Sequence, residues 1–156
     1  MKTLLLYYSY GGNTRSVAQR IRQALGCDAV EIVTVTPYAG SYDAVVNQGQ
    51  REVNAGFEPP IQALGKNINY YDTVILGTPV WWYTFAPAVK TALSSHDWNG
   101  KTIYPFATNG GWIGHTFQDI EKVCAGAVVK KGLNIRFDGD RMQTAAADID
   151  RWIQQF

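Results

Sequence analysis

The residues best placed to do chemistry lie at the start of the chain. Leu4 to Tyr8 is an apolar, β-prone run that stops at Ser9-Tyr10-Gly11-Gly12-Asn13-Thr14, and a helical pattern begins at once. A strand that feeds a tight turn into a helix N-terminus aims unpaired N–H groups and a positive dipole end at one point, which is a seat for a phosphate. Ser9, Asn13 and Thr14 offer side-chain donors, and Gly11 and Gly12 let the backbone approach an anion closely. Gly12 is followed by Asn13 rather than Lys, no G-x-G-x-x-G is present, and neither an acid nor a Cys ends the first strand. A loop without nucleophile or metal ligand holds a phosphate without cleaving it. The competing reading is a polar turn that only caps a helix.

Two later segments carry related chemistry. Thr78-Pro79-Val80-Trp81-Trp82-Tyr83-Thr84 follows a continuous apolar run, and its three aromatics cannot all enter a core. Stacking on a planar heterocycle accounts for them. Packing of one Trp under the following helix accounts for part, so Trp81 and Trp82 are read as a unit. Thr108-Asn109-Gly110-Gly111-Trp112-Ile113-Gly114 has three glycines whose N–H groups could bond ring carbonyls, with a glycine-rich surface turn as the alternative. Arg15 either adds charge near the phosphate or lies solvated. His115 reads as a surface residue at a helix start, and His96 has no constellation around it. Cys27 and Cys124 lack the spacing of a zinc or dithiol site and read as reduced thiols.

The elements that must position these loops alternate. Strands are expected over Thr3–Tyr8, Ala29–Val33, Thr73–Gly77 and Thr102–Ala107, with a last one within Ala127–Ile135. Helices are expected over Asn13–Leu25, Tyr42–Asn54 and Pro87–Ser95. A fourth opens on a Thr116/Asp119 capping box and runs to Val123, and a fifth, capped by Asp140 with Gln143, runs to Gln154. Thr36–Tyr71 is the irregular part. The alternation predicts an α/β domain built on a doubly wound, five-stranded parallel sheet, with ligands outside the carboxyl strand ends. The three loops all leave that edge.

Composition limits the partners. The chain has 156 residues, 46% hydrophobic and 17% charged, with 14 Lys and Arg against 13 Asp and Glu. That length fits a single domain, residues 1–156, with its own core. A balanced charge offers no basic stripe for nucleic acid or an acidic membrane. No signal peptide or membrane span is visible, so a cytoplasmic location is expected.

Ser-Tyr-Gly-Gly-Asn-Thr-Arg after the first strand resembles the flavodoxin phosphate loop. Pro79-Val80-Trp81-Trp82, Phe106–Gly111 and the lead-in Asp97-Trp98-Asn99-Gly100-Lys101 are similar to a bacterial flavodoxin-like branch, in order over nearly the whole chain. The resemblance implies a three-layer flavodoxin-like sandwich with strand order 2-1-3-4-5 and one non-covalent FMN. It implies that Ser9, Tyr10, Gly11, Gly12, Asn13 and Thr14 hold the phosphate. Thr78, Pro79, Val80, Trp81, Trp82 and Tyr83 would line the isoalloxazine, and Thr108, Asn109, Gly110 and Gly111 would close its other side. No metal and no catalytic side chain is implied. Gly11 departs from the pattern, standing where many flavodoxins have a hydroxyl residue, and the chain lacks their acidity. An aromatic site with backbone donors and no nearby cation lowers a flavin's potential, so the implied role is low-potential electron transfer between redox partner proteins. The alternative is an NAD(P)H-dependent FMN reductase of quinones or flavins, with Tyr38, Tyr42, Phe57, Tyr70 and Tyr71 covering a substrate. A flavin-free binding module would require all three loops to be coincidence.

Overall fold

Leu4, Leu6 and Tyr8 alternate with Leu5 and Tyr7, and all five are buried, so the first strand must be covered on both faces. A computed structural model, which describes residues 2–156, places it so. Strand β1 is Thr3–Tyr8, followed by α1 (Asn13–Leu25), β2 (Asp28–Ile32), α2 (Tyr42–Ala55) and a short 3-10 turn at Ile68–Tyr70. Then come β3 (Thr73–Trp81), β4 (Thr84–Phe85), α3 (Pro87–Ser94), β5 (Thr102–Asn109) and α4 (Thr116–Val123). The chain closes with β6 (Val128–Val129), β7 (Leu133–Asp138), β8 (Arg141–Met142) and α5 (Ala146–Ile153).

One layer sets Leu4, Leu6, Val74 and Leu76 against Val89 and Leu93 of α3 and Ile120 of α4. The other sets Leu5, Ile75 and Phe106 against Val17 and Ile21 of α1 and Ile149 and Trp152 of α5. Both layers press on the central strands, where a Cβ at Gly77 would lie 2.2 Å from the Phe106 ring. Helix α1 shows its apolar stripe at Val17, Ala18 and Ile21, and Gly26 ends it in the left-handed region, donating its N–H to Arg22 O.

The expected five-stranded, all-parallel sheet is corrected. Among the described residues the sheet has eight strands, ordered β2-β1-β3-β5-β7-β8 rather than 2-1-3-4-5, with β4 paired to β3 and β6 to β5. The pairs β1–β2, β1–β3, β3–β5, β5–β6 and β5–β7 are parallel, while β3–β4 and β7–β8 are antiparallel. Two tight turns and one split strand cause the difference: Trp82-Tyr83 folds β4 back onto β3, Gly139-Asp140 folds β8 back onto β7, and the expected last strand divides into β6 and β7. The second turn also displaces the expected cap of the last helix. Asp140 sits in the hairpin, and α5 starts at Ala146 without a side-chain cap. The last strand is split at Lys130–Gly132, where Gly132 lies against the Phe117 ring.

The long excursion after β2 is closed at its base. Thr34 bridges Ile61, Val35 N–H donates to Pro60 O at 2.9 Å, and Gln62 N–H donates to Val33 O at 2.8 Å. This closure carries α2, capped by Ser41 Oγ on Ala44 N–H, to the carboxyl end of β3. The chain runs outward from β1 to β2 and returns past β1 to β3. The carboxyl ends of β1 and β3 therefore flank the point where strand order reverses.

Candidate functional site at the carboxyl edge of the sheet

Gly11 and Gly12 have φ of 82° and 103°, and an added Cβ at either would meet nothing within 4 Å. Backbone conformation, not crowding, calls for glycine there. The turn is held from within: Arg15 N–H donates to Ser9 Oγ at 3.1 Å, and Ser16 N–H donates to Gly12 O at 3.0 Å. Among the described residues, the N–H groups of Gly11, Gly12, Asn13 and Thr14 find no acceptor, and no acid stands in the first turn of α1. Four adjacent donors at a helix start fit a phosphate.

Arg15 does not face this seat. Its Nε and Nη2 each donate to Glu31 at 2.7 Å, and Tyr7 Oη donates to the same carboxylate at 3.0 Å. The Arg15 guanidinium holds the Glu31 carboxyl below the usual carboxylate range. Burial, reinforced by Glu31, pushes the Tyr7 phenol up to about 12. An anion in the seat would therefore be met by backbone dipoles.

The second segment is a hairpin more than a loop. Strand β3 runs on through Thr78, Pro79 and Val80 to Trp81, and only Trp82 and Tyr83 form the turn. Their φ values, 49° and 72°, place two bulky side chains in the left-handed region, which costs about 1–3 kcal/mol each. Neighbours hold the turn in that shape. Trp82 Nε1 donates to Val46 O at 3.0 Å, and His115 N–H donates to Tyr83 O at 2.8 Å. Gly114 lies so close that an added Cβ would sit 2.3 Å from Tyr83 O.

Trp81 stands edge-on to Tyr8, Tyr10 and Tyr38, at centroid distances of 6.0, 5.9 and 5.0 Å. Its ring also lies against Gly49 of α2. Both tryptophans pack toward α2, the helix before β3, rather than the helix after it. Thr78 is fully buried, with its Oγ1 accepting from Ala86 N–H at 3.1 Å and donating to Pro79 O at 2.8 Å. Its side chain fixes the strand end and does not enter the site.

In the third segment, Thr108 and Asn109 belong to β5. Thr108 Oγ1 is hydrogen-bonded to Thr14 Oγ1 at 2.8 Å, with both residues buried. Asn109 Oδ1 accepts from Gly111 N–H at 3.0 Å, and its Nδ2 donates to Asn134 Oδ1 at 2.6 Å. The expected capping box is absent. Thr116 Oγ1 donates to Ile113 O, and Asp119 accepts from Thr84 Oγ1 at 2.5 Å and pairs with His115 Nδ1.

Side chains tie the three segments pairwise: Thr14 to Thr108, Tyr10 to Trp81, and Tyr83 to Trp112, whose rings lie 4.8 Å apart. The three sequence-predicted segments thus adjoin, while the Thr78 side chain is spent inside the strand end. Trp112, quoted in the third segment but not among the expected site residues, stands beside Tyr83 and is 65% exposed. A large aromatic flanked by glycines in the third segment was its signal.

The helix expected over Tyr42–Asn54 forms as α2, Tyr42–Ala55, and what the sequence does not show is that it borders the site. Its Tyr42, Val45, Val46 and Gly49 form one wall of a cleft of about 230 Å³. Tyr10, Val80, Trp81 and Trp82 form the other. Of the aromatics expected over a substrate, only Tyr38 and Tyr42 come near. Tyr70 and Tyr71 precede β3 at the opposite sheet edge, Tyr71 donating to Asp28 at 2.7 Å, and Phe57 lines a separate hollow beyond α2. Burial raises both thiols, Cys124 to about 12, so neither is a ready nucleophile. Among the described residues, no cluster of His, Cys, Asp and Glu could hold a metal, and no helix is long and apolar enough to cross a membrane.

Fold and site together define an open α/β domain with an anion seat and an aromatic wall at its switch point. A flavodoxin family model matches residues 2–155, and the chain belongs to that family. No curated protein matches it. Among solved structures it is similar to a presumed flavoprotein of Bacteroides eggerthii, at 28% identity and TM-score 0.83, over 99% of this chain and 96% of that one. It is similar to a Lactobacillus acidophilus flavoprotein in complex with FMN, at 23% identity and TM-score 0.74, over 97% of each chain. Flavodoxin 2 of Bacillus cereus matches at 20% identity and TM-score 0.57, over 99% and 94%.

Proposed function

We propose that this chain holds one FMN at the three joined segments and serves as an electron carrier between redox proteins. The observation that carries this reading is the run of unpartnered N–H groups from Gly11 to Thr14, on a loop joined through Thr14 to Thr108. Ser9, Tyr10, Gly11, Gly12, Asn13 and Thr14 would hold the phosphate, with Thr14 committed to Thr108 and serving to position the loop. Pro79, Val80 and Tyr83, backed by Trp81 and Trp82, would line one side of the ring, and Asn109, Gly110, Gly111 and Trp112 the other. Bound FMN supplies reversible one- and two-electron chemistry. The protein's part is to exclude water with aromatic faces and to present backbone donors. Arg15, the cation next to the seat in sequence, is engaged by Glu31.

Tyr10, Tyr83 and Trp112 form an exposed aromatic rim, which suits transient docking of a partner protein better than a closed active site. With a net charge of +1, apolar contact rather than strong electrostatic steering would bring that partner in. A second reading, an NAD(P)H-dependent reductase of quinones or flavins, is favoured by one observation: the cleft beside α2 has room for a small molecule.

Anaerobic mixing of the FMN-loaded protein with NADH or NADPH separates the two. The carrier leaves the flavin absorbance unchanged over minutes, while dithionite bleaches it. Rapid bleaching by either nucleotide would replace the carrier with the reductase.

A further inference from the structure

The cleft between α2 and the end of β3 is set apart from the three-segment site by its lining. Tyr10, Val80, Trp81 and Trp82 are common to both, but no residue from Thr108 to Gly114 reaches the cleft, and its outer wall is α2. Its chemistry is specific. Val45, Val46 and Val80 give aliphatic surface, Gly49 gives bare backbone, and four aromatic rings complete the lining. No charged side chain among the described residues lines it. The indole N–H of Trp82 is used by Val46 O, yet the hydroxyls of Tyr10 and Tyr42 have no partner among the described residues. Tyr42 is 81% exposed at the helix start, so a ligand can reach its ring from solvent.

We infer that this cleft binds a small, uncharged, planar compound of one or two fused rings bearing a carbonyl or phenol oxygen. Aromatic and valine faces match a flat apolar body, and two free phenols match an oxygen acceptor at its edge. The absence of lining charge disfavours anions such as nicotinamide nucleotides. At about 230 Å³ the cleft is smaller than the usual site for a drug-sized ligand, which limits the occupant to one or two rings. The inference rests on the FMN reading only in assigning the neighbouring space to the flavin.

The probe is 2-methyl-1,4-naphthoquinone, titrated by equilibrium dialysis into the protein with and without FMN, beside a separate FMN titration. Saturable one-to-one binding is expected in the presence of FMN without its release. Tyr42→Phe, at an exposed position, should weaken the probe about 5-fold. Val46→Trp, which fills the cleft, should weaken it at least 10-fold, and both variants should bind FMN as the parent does. Lack of saturable binding, or binding unaltered by both substitutions, overturns the inference. Displacement of FMN by the probe also overturns it, because the cleft would then be the flavin's own seat. Failure to bind FMN in the separate titration would remove the proposed function while leaving the probe measurement to stand on its own.

Discussion

At the scale of residues, exposure separates two kinds of aromatic that look alike in the sequence. Trp81 is wedged among Tyr8, Tyr10, Tyr38 and Gly49, whereas Trp112 and Tyr83 pair in the open. Trp81→Ala should therefore cost about 3 kcal/mol in urea denaturation. Trp112→Ala should leave stability within about 0.5 kcal/mol and weaken FMN binding by about 1 kcal/mol. The reverse pattern would exchange their roles.

The Arg15–Glu31 pair gives a pH signature. Because Arg15 lowers the Glu31 pKa in the folded state, the pair stabilises the protein above the unfolded carboxylate range and loses that effect as pH falls through the folded value. Both side chains are partly exposed, so the contribution is only about 0.5–1 kcal/mol. The stability difference between the parent and Glu31→Gln should be present at neutral pH and vanish in acid. A difference that persists in acid would assign it to the Tyr7 hydrogen bond instead.

At the scale of elements, α2 is the part that shapes the site most and was least legible. Its helical pattern could be read in Tyr42–Asn54, but nothing local says which sheet edge it reaches. That depends on the Thr34–Ile61 bridge and its flanking hydrogen bonds, which join residues far apart in sequence. Gly49 records the outcome. A Cβ there would come within 3.1 Å of Trp81, whose ring has three tyrosines around it and little room to yield. Gly49→Ala should thus destabilise by about 1–2 kcal/mol in chemical denaturation, despite the roughly 1 kcal/mol that alanine adds to an ordinary helix. A stabilised variant would mean that Trp81 moves freely.

The two hairpins were missed for a different reason. Trp82-Tyr83 is not the glycine- or asparagine-based turn that signals a hairpin, and tertiary contacts from Val46, Gly114 and His115 hold it. Gly139-Asp140 does carry that signal, but Asp140 with Gln143 reads equally as the cap of the last helix.

At the scale of the whole molecule, the α/β alternation, the phosphate loop and the aromatic segments were legible because each has a local period or turn chemistry. Buried runs such as Leu4–Tyr8 and Thr73–Leu76 announce central strands by composition alone. What remained hidden was contact between distant residues: Arg15 to Glu31, Thr14 to Thr108, and Tyr83 to Trp112. These contacts make three separate segments one site, and linkage makes that unity measurable. FMN at a hundredfold excess over its Kd should stabilise the fold by about 2.7 kcal/mol, raising Tm by roughly 5–10 °C.

The most direct test is titration of the FMN-free protein with FMN, followed by quenching of flavin fluorescence. The account predicts saturation at one FMN per chain, with strong quenching by the aromatic wall. Fluorescence that rises linearly with added FMN, without a break, would contradict it.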